Sequence, residues 1–443
     1  MSRWGRNRWT SVPAVLAVVL GACVGGEPPD APDGADTAMN GIAESYVRLV
    51  LAVGAHDADY VDAYYGPPEW RSAADSAAEP LDSIAARIGP LIERIGTVQV
   101  SAADTMLTLR RDYLEKQLES VQARVRQLQG ERMTFDEESR ALYDAVAPTH
   151  TEAHFDSLLA QLEPLLPGEG TIAQRYSRYR QSFVIPPERV DTVFRAAIAE
   201  ARRRTISQVS LPPGETFTLE YVTNQPWSGY NWYQGNARSL IQINTDLPIT
   251  IDRAVDLAAH EGYPGHHVYN VLLEQHLVGE RGWVEYSVYP LFSPQSLIAE
   301  GSANFGIRVA FPGEERTGFE RDVLYPLAGL DASLADAYAT VLSLVERLSY
   351  AGNEAARRYL DGAIDAEEAA TWLERYALYD PERARQRVRF IDRYRSYVIN
   401  YNLGQDLVRE WVERQGGTAD ASGQRWEAFT ALLSSPRLPS GLQ

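Results

Sequence analysis

Apolar residues recur at helical spacing along most of the chain. Ile42, Tyr46, Leu49 and Val53 follow one another at intervals of three or four, which predicts a helix over residues 41–65 that ends at a Tyr-Gly-Pro-Pro turn. Similar patterns in both halves predict further helices. These span residues 84–95, 103–128, 152–165, 187–209, 250–263, 268–276, 294–311, 319–327, 333–350, 366–377, 381–401 and 406–414.

The middle of the chain has a different pattern. Residues 217–222 and 239–244 are rich in β-forming side chains, and the segment 224–236 between them contains many Trp, Tyr, Asn and Gly residues. We interpret this region as two or three strands of a small sheet. The predicted fold is mainly α: one large helical domain with a small inserted β-sheet beside the helix that follows at residue 250.

The amino terminus has the pattern of an export signal. Three arginines within the first eight residues precede an apolar run at 12–20, which is too short to span a bilayer as a mature helix. Residues 1–22 are therefore predicted to be a signal peptide. It is followed directly by Cys23, the only cysteine of the chain. The sequence Leu-Gly-Ala-Cys at this point resembles a bacterial lipoprotein box, and the alternative is an ordinary secretory signal followed by a chance cysteine.

A lipid on Cys23 would hold the protein on a membrane surface without spanning it. Residues 23–37 are rich in Gly, Pro and Asp and have little to bury, so we expect a flexible tether that carries this lipidated cysteine. The folded domain is expected to occupy residues 38–443. These features predict a lipid-anchored protein of the cell envelope, on the periplasmic or extracytoplasmic face of a bacterial membrane.

The net charge argues against one class of partner. The formal net charge is −18 at pH 7, whereas a nucleic-acid surface needs a basic face to neutralise phosphates. We therefore expect no nucleic-acid partner.

Three of the seven histidines lie in the stretch HEGYPGHHVYN, residues 260–270. Zinc hydrolases place two histidines one helical turn apart in the pattern H-E-x-x-H, because ligands of one ion must project side by side. Pro264 stands where the second histidine is expected. If Pro264 and Gly265 are looped out of the helix, His266 becomes the second ligand after His260. His267 is the alternative, for which we favour a supporting or packing role.

A third metal ligand is expected on a later helix. Glu300 is followed by small residues that let two helices approach closely, and a glutamate at this distance is the third ligand in one class of zinc hydrolases. With His260, His266 and Glu300 as ligands of Zn²⁺, Glu261 is the candidate general base for the attacking water. The alternative is a polar helix end with solvated histidines and an ordinary carboxylate.

These residues resemble a known family. HEGYPGHH and the later AEGSANFG resemble the H-E-x-x-P-G-H-H and E-G-W-A motifs of the bacterial domain of unknown function 885 family, and YNLGQ at 401–405 resembles its Tyr-x-x-Gly-Gln segment. The resemblance covers most of the chain after the tether. It implies a metallopeptidase-like fold of the thermolysin-like superfamily, a helical shell around a zinc cleft similar to that of carboxypeptidase Taq. Ser302 stands where the motif has Trp, so the resemblance does not define the pocket wall or the substrate preference at this position.

The same resemblance implies supporting residues. Tyr401, in the matching tail, is the candidate to stabilise the oxyanion, with Tyr394 and Tyr397 as alternatives. The strand 239–244 resembles the edge strand that such enzymes lay along an extended peptide, and Arg238 is a candidate for a substrate carboxylate. His150 and His154 are expected to be structural or surface residues.

The sequence thus predicts a zinc-dependent metallohydrolase, a peptidase or carboxypeptidase that acts on peptides at the cell envelope with Glu261 as the general base. The alternative is a non-catalytic, lipid-anchored lipoprotein that binds peptide or another ligand in the same cleft.

Overall fold

The computed structural model describes residues 34–225 and 227–443. The predicted signal peptide, Cys23 and most of the tether lie outside these residues. The first helix begins at Gly34 rather than at residue 38, so the predicted tether is too long at its carboxyl end. The physical reason is that Ala35 and Met39 are buried, and that Asp36 accepts hydrogen bonds from Arg110 and Trp283.

Helices form most of the structure on both sides of the sheet region. Those of the amino-terminal half are α1 (Gly34–Gly54), α2 (Pro68–Ala77), α3 (Leu81–Thr97), α4 (Thr105–Leu128), α5 (Phe135–Tyr143), α6 (Glu152–Leu162), α7 (Ile172–Arg180) and α8 (Val190–Ile206). Those of the carboxyl-terminal half are α9 (Ile251–Leu257), α10 (His266–Leu273), α11 (Pro294–Ala310), α12 (Glu314–Phe319), α13 (Tyr325–Ala328), α14 (Ala335–Glu346), α15 (Ala351–Leu360), α16 (Ala366–Tyr376), α17 (Pro381–Tyr394), α18 (Ile399–Arg414) and α19 (Ser422–Leu433). The mainly α fold class predicted from the sequence is confirmed.

The inserted sheet has three strands, β2 (Thr216–Val222), β3 (Gly229–Gly235) and β4 (Arg238–Asn244). The strand order is β2-β4-β3, with β4 parallel to β2 and antiparallel to β3. The prediction that residues 239–244 form an edge strand is therefore wrong. Both sides of β4 are paired because the segment between the two predicted strands forms β3, which takes the edge position.

A two-stranded ribbon was not predicted. It pairs β1 (Val61–Tyr64) antiparallel to β5 (Val288–Pro290), whereas the hydrophobic pattern predicted a helix as far as residue 65. The helix ends at Gly54, and the polar residues that follow form turns before Tyr60, which is fully buried. Pairing with a strand far along the chain is a long-range interaction that local periodicity does not encode.

The carboxyl-terminal helices break at a different place from the predicted one. We expected a helix over 381–401 and a second over 406–414, but α17 ends at Tyr394 and α18 runs without interruption from Ile399. Arg395 has a positive φ of 52° at the break. Its guanidinium and the backbone N–H of Ser396 both bind the buried carboxylate of Glu138, which fixes the chain at this turn.

Helix α11 lies at the centre of the main hydrophobic core and is buried along almost its whole length. A second, smaller core joins α6 and α7 to the helices α14 to α17. Among the described residues, no helix is both long and apolar enough to cross a membrane.

Candidate metal centre

The motif helix is interrupted at the point where the sequence places Pro264 and Gly265. After α9 the chain makes a π-helical turn at Ala258–Gly262, and α10 begins at His266. The N–H of Tyr263 donates to the carbonyl oxygen of Ala258, five residues earlier. A Cβ atom on Gly265 would lie 1.9 Å from the carbonyl oxygen of His260, so the chain passes itself too closely for any other residue.

This interrupted helix brings the side chains of His260 and His266 together. Their Nε2 atoms are 3.1 Å apart, and Oε2 of Glu300 lies 3.3 Å from His260 Nε2 and 3.7 Å from His266 Nε2. Ligands of a tetrahedral zinc ion, at bond lengths of about 2.0–2.2 Å, are separated by roughly 3.3–3.5 Å. In the part of the chain that the structure describes, this is the one group of three His, Cys, Asp or Glu side chains with such spacing.

Two atoms of the cluster, Nε2 of His260 and Oε2 of Glu300, have lone pairs available for a cation. Nδ1 of His260 lies 3.0 Å from Oδ1 of Asn304, whose amide nitrogen donates to the carbonyl oxygen of Tyr401. Because Asn304 thus presents its oxygen, Nδ1 of His260 carries the proton and Nε2 has a free lone pair. Oε2 of Glu300 is buried and has no hydrogen-bond partner among the described residues. Lone pairs that face one another in a buried place are unfavourable unless a cation lies between them.

Close helix packing sets the position of Glu300. A Cβ atom on Gly301 would lie 2.3 Å from the carbonyl carbon of Gly404, so α11 and α18 touch backbone to backbone at these two glycines. The small residues after Glu300 have the role that the sequence predicted for them. The approach lets the hydroxyl group of Tyr397 donate to Oε1 of Glu300, at 2.8 Å, and leaves Oε2 for the two histidines.

Glu261 faces a cavity of about 1180 Å³ that also exposes His260, His266 and Glu300. Burial is the main cause that raises the pKa of Glu261 to about 7. The charge of His266 lowers this pKa by a smaller amount, and the charge of Glu300 raises it by a smaller amount. The carboxylate lies against the start of β3, since a Cβ atom on Gly229 would be 2.8 Å from Oε1 of Glu261. A buried carboxyl group beside a metal site, facing a solvent-filled cleft, can accept a proton from water.

The tyrosines of the carboxyl-terminal segment divide into two roles. Tyr397 is bound to Glu300, so it orients a candidate metal ligand. Tyr401 lines the cavity, and its hydroxyl group has no hydrogen-bond partner among the described residues. Tyr394 also lines the cavity. The geometry leaves the Tyr401 hydroxyl available for a substrate, and its role in stabilising an oxyanion stays a prediction.

His267 faces away from the cluster. It is fully buried, with Nε2 at 2.9 Å from Oε1 of Glu215 and Nδ1 at 2.8 Å from Oγ of Ser239. Arg202 and Tyr263 donate to the same Glu215 carboxylate. Burial raises the pKa of Glu215, but these hydrogen bonds and the charge of His267 outweigh it and lower the pKa to about 2. His267 therefore joins the motif helix to the sheet.

Several residues that the sequence singled out lie away from the cluster. Arg238 is exposed at the start of β4 and is not among the residues that line the cavity. Ser302 is buried, donates to the carbonyl oxygen of Ala299, and does not line the cavity either. His150 and His154 stack on each other and line the cavity outside the three-residue cluster.

The cavity residue Asp62 was missed by the sequence analysis. Asp62, on β1, accepts a hydrogen bond from the hydroxyl group of Tyr230, on β3. Burial raises the pKa of Asp62 to about 7, with His266 lowering it and the charges of Glu300 and Glu261 raising it. A correct assignment of β1 as a strand would have been needed to place Asp62 beside the motif.

Comparison with known proteins supports the fold. A protein assigned as a lipoprotein from Colwellia psychrerythraea is similar with a TM-score of 0.51 and 15% identity, over 84% of this chain and 71% of that chain. The M32 carboxypeptidase of Deinococcus radiodurans R1 gives a TM-score of 0.44 and 12% identity, over 90% of each chain. A protein of unknown function from Shewanella oneidensis, assigned as a lipoprotein, gives 0.41 and 12%, over 90% of this chain and 82% of that chain. The two lower scores are too weak to identify a shared fold. No family model matches the sequence, and no curated protein is similar to it.

Proposed function

We propose that the protein is a zinc-dependent hydrolase that cleaves peptides, with His260, His266 and Glu300 as the metal ligands. The observation that carries this proposal is the set of three donor atoms at 3.1, 3.3 and 3.7 Å from one another, facing a cavity. Three protein ligands with a fourth position open to solvent are typical of catalytic zinc sites, whereas structural sites use four protein ligands.

The residues of the cleft have complementary roles in peptide hydrolysis. Zinc bound here supplies Lewis acidity, which lowers the pKa of water and polarises a carbonyl group. Glu261 accepts the proton of the attacking water and returns it to the amine nitrogen that leaves. The hydroxyl group of Tyr401 donates a hydrogen bond to the carbonyl oxygen as negative charge develops on it. Asn304 and Tyr397 hold His260 and Glu300 in orientation.

Family membership and location belong to the same proposal. The H-E-x-x-P-G-H-H sequence and the Glu-Gly segment at Glu300 support membership of the domain of unknown function 885 family. The predicted signal and Cys23 support a lipid-anchored position at the cell envelope, where peptides would be the substrates.

Metal analysis with three variants tests the proposal. The purified protein should contain about one zinc ion per chain, as expected for a single three-ligand site. Glu261→Gln should retain zinc and lose peptide hydrolysis, while His266→Ala should lose both. His276→Ala is the matched control, because His276 is a partly exposed histidine outside the cleft that pairs with Glu280. Full activity of Glu261→Gln, or unchanged zinc content in His266→Ala, would contradict the proposal and favour a non-catalytic binding protein.

A further inference from the structure

Arginines line much of the cavity, and most of them are neutralised. Four make ion pairs with a carboxylate, and a fifth, Arg347, is exposed and donates to Gln161. The four pairs are Arg253–Asp256, Arg308–Glu346, Arg393–Asp59 and Arg409–Asp406. The remaining two, Arg383 and Arg387, form no ion pair with any described residue.

Arg383 and Arg387 lie one turn apart on α17 and are held by aromatic rings. The guanidinium carbon of Arg383 is 4.7 Å from the centre of the Tyr379 ring, and that of Arg387 is 4.4 Å from the centre of the Phe390 ring. Contacts of this kind fix a guanidinium without using its N–H groups as hydrogen-bond donors. Neither side chain donates a hydrogen bond to another described residue. Their N–H groups are therefore available to a ligand.

Further guanidinium groups lie near these two arginines, and we call this side of the cavity the positive wall. Burial lowers the pKa of Arg383. The charge of Tyr379 raises this pKa, and the smaller effects of the like charges of Arg180 and Arg253 lower it. Burial raises the pKa of the Tyr379 phenol, but the nearby guanidinium groups outweigh it and lower that pKa. Like charges in a partly buried wall are unfavourable on their own, and an anion between them removes the repulsion.

This positive wall adjoins the candidate reaction centre. The guanidinium carbon of Arg387 is 5.7 Å from the centre of the Tyr401 ring. Burial and the charge of Glu300 raise the pKa of Tyr401 while Arg387 lowers it, so Tyr401 is near both Arg387 and a candidate metal ligand. Arg253 is on α9, the helix that leads into His260 and Glu261.

We infer that Arg383 and Arg387 form a subsite for a carboxylate carried by a residue next to the scissile peptide bond. The planar guanidinium group matches a carboxylate with two parallel hydrogen bonds. This inference rests on the proposed function and names the substrate class for the same cleft. The carboxylate has two possible sources, the carboxyl terminus of a peptide or an aspartate or glutamate side chain.

Three matched peptides distinguish the sources. The first is a carboxyl-terminal amide without charged residues, and the second is the same peptide as the free acid. The third is the amide with the residue next to the cleaved bond replaced by glutamate. We expect kcat/KM for one charged peptide to exceed that of the neutral amide by about 100-fold, as for other buried charge pairs. Preference for the free acid, with release of single residues seen by mass spectrometry, assigns the terminal carboxylate. Preference for the glutamate peptide assigns the side chain, and equal rates for all three overturn the inference.

Substitutions in α17 test the residues themselves. Arg383→Met and Arg387→Met should each collapse the preference of charged over neutral peptide toward unity, through an increase in KM. They should keep their zinc and should not lower the unfolding temperature, because each removes an unpaired charge. Arg385→Met is the matched control, since Arg385 lies on the same helix but is exposed and does not line the cavity. A preference that survives both cavity variants, or is equally lost in Arg385→Met, overturns the assignment.

Binding separates this inference from the hydrolase proposal. Calorimetric titration of the Glu261→Gln protein with the three peptides measures affinity without turnover. If the wild-type protein neither holds zinc nor hydrolyses peptides, yet a charged peptide binds more tightly and Arg383→Met removes that difference, the proposed function fails and the carboxylate subsite stands. If the wild-type protein hydrolyses all three peptides equally and they bind equally, the proposed function stands and the subsite is wrong.

Discussion

The Nε2 atoms of His260 and His266 lie 3.1 Å apart although six positions separate the two residues. In a regular α-helix side chains six positions apart point in different directions, and only neighbours at three or four positions share a face. The π-helical turn and the Pro-Gly pair shift the chain so that His266 takes the place of a residue one turn away. The metal cluster therefore depends on the interruption of the helix.

Gly265→Ala should abolish zinc binding. Its new Cβ atom would lie 1.9 Å from the carbonyl oxygen of His260, which is backbone and has no room to move without opening the turn. The two imidazoles would then separate. Zinc content after dialysis measures the effect. Gly89→Ala is the control, because Gly89 lies in α3 and nothing lies within 4 Å of the added atom. Full zinc content in the Gly265→Ala protein would show that the turn does not control the metal site.

Local sequence predicted the candidate centre better than its surroundings. The Pro-Gly pair lies inside the motif, and its effect on helix geometry follows from the missing N–H of Pro264 and the freedom of Gly265. The fold class followed equally well from helical periodicity. Asp62 and Arg387 were missed because their position in the cleft depends on long-range packing, of β1 on β5 and of α17 against the cavity. The same limit explains why β4 was taken for an edge strand.

Gly404→Ala should destabilise the protein and weaken zinc binding together. A Cβ atom at this position would lie 2.6 Å from the carbonyl oxygen of Leu297, so α18 must move away from α11, which carries Glu300. Overpacking of this kind costs about 1–3 kcal/mol of unfolding free energy. Urea unfolding measures it. Gly352→Ala in α15 should instead be neutral or stabilising by up to about 1 kcal/mol, because nothing lies within 4 Å of its added atom.

Asn304→Leu should weaken zinc binding by about 10- to 100-fold, the usual effect of removing a partner that orients a ligand. The Oδ1 atom of Asn304 accepts the Nδ1 proton of His260 and so keeps Nε2 free for the metal. Competition against a chelator of known affinity measures the change. Asn304→Asp retains the acceptor for Nδ1 of His260 but loses the donor to the carbonyl oxygen of Tyr401, so it should lose less affinity than Asn304→Leu. Equal losses in both variants would show that Asn304 acts through packing rather than through the hydrogen bond.

Glu215→Gln should lower stability at neutral pH, and the effect should disappear in acid. The folded-state pKa of Glu215 is about 2, while that of an unfolded glutamate is about 4.3. Because folding lowers the pKa, the stabilisation from the carboxylate is fully present above about pH 5 and is lost as pH falls toward 2. We expect a loss of about 1–3 kcal/mol at pH 7, typical of a buried charged hydrogen-bond acceptor.

Urea unfolding of the wild type and Glu215→Gln at pH 7, 5 and 3 measures this difference. It should shrink between pH 5 and pH 3, because the wild-type carboxylate loses its advantage over the amide as the unfolded chain takes up a proton. Glu220→Gln is the control, since Glu220 is exposed on the neighbouring strand β2 and should change stability little at any of these values. A difference for Glu215→Gln that stays constant from pH 7 to pH 3 would show that its effect comes from packing and not from the charge that binds His267.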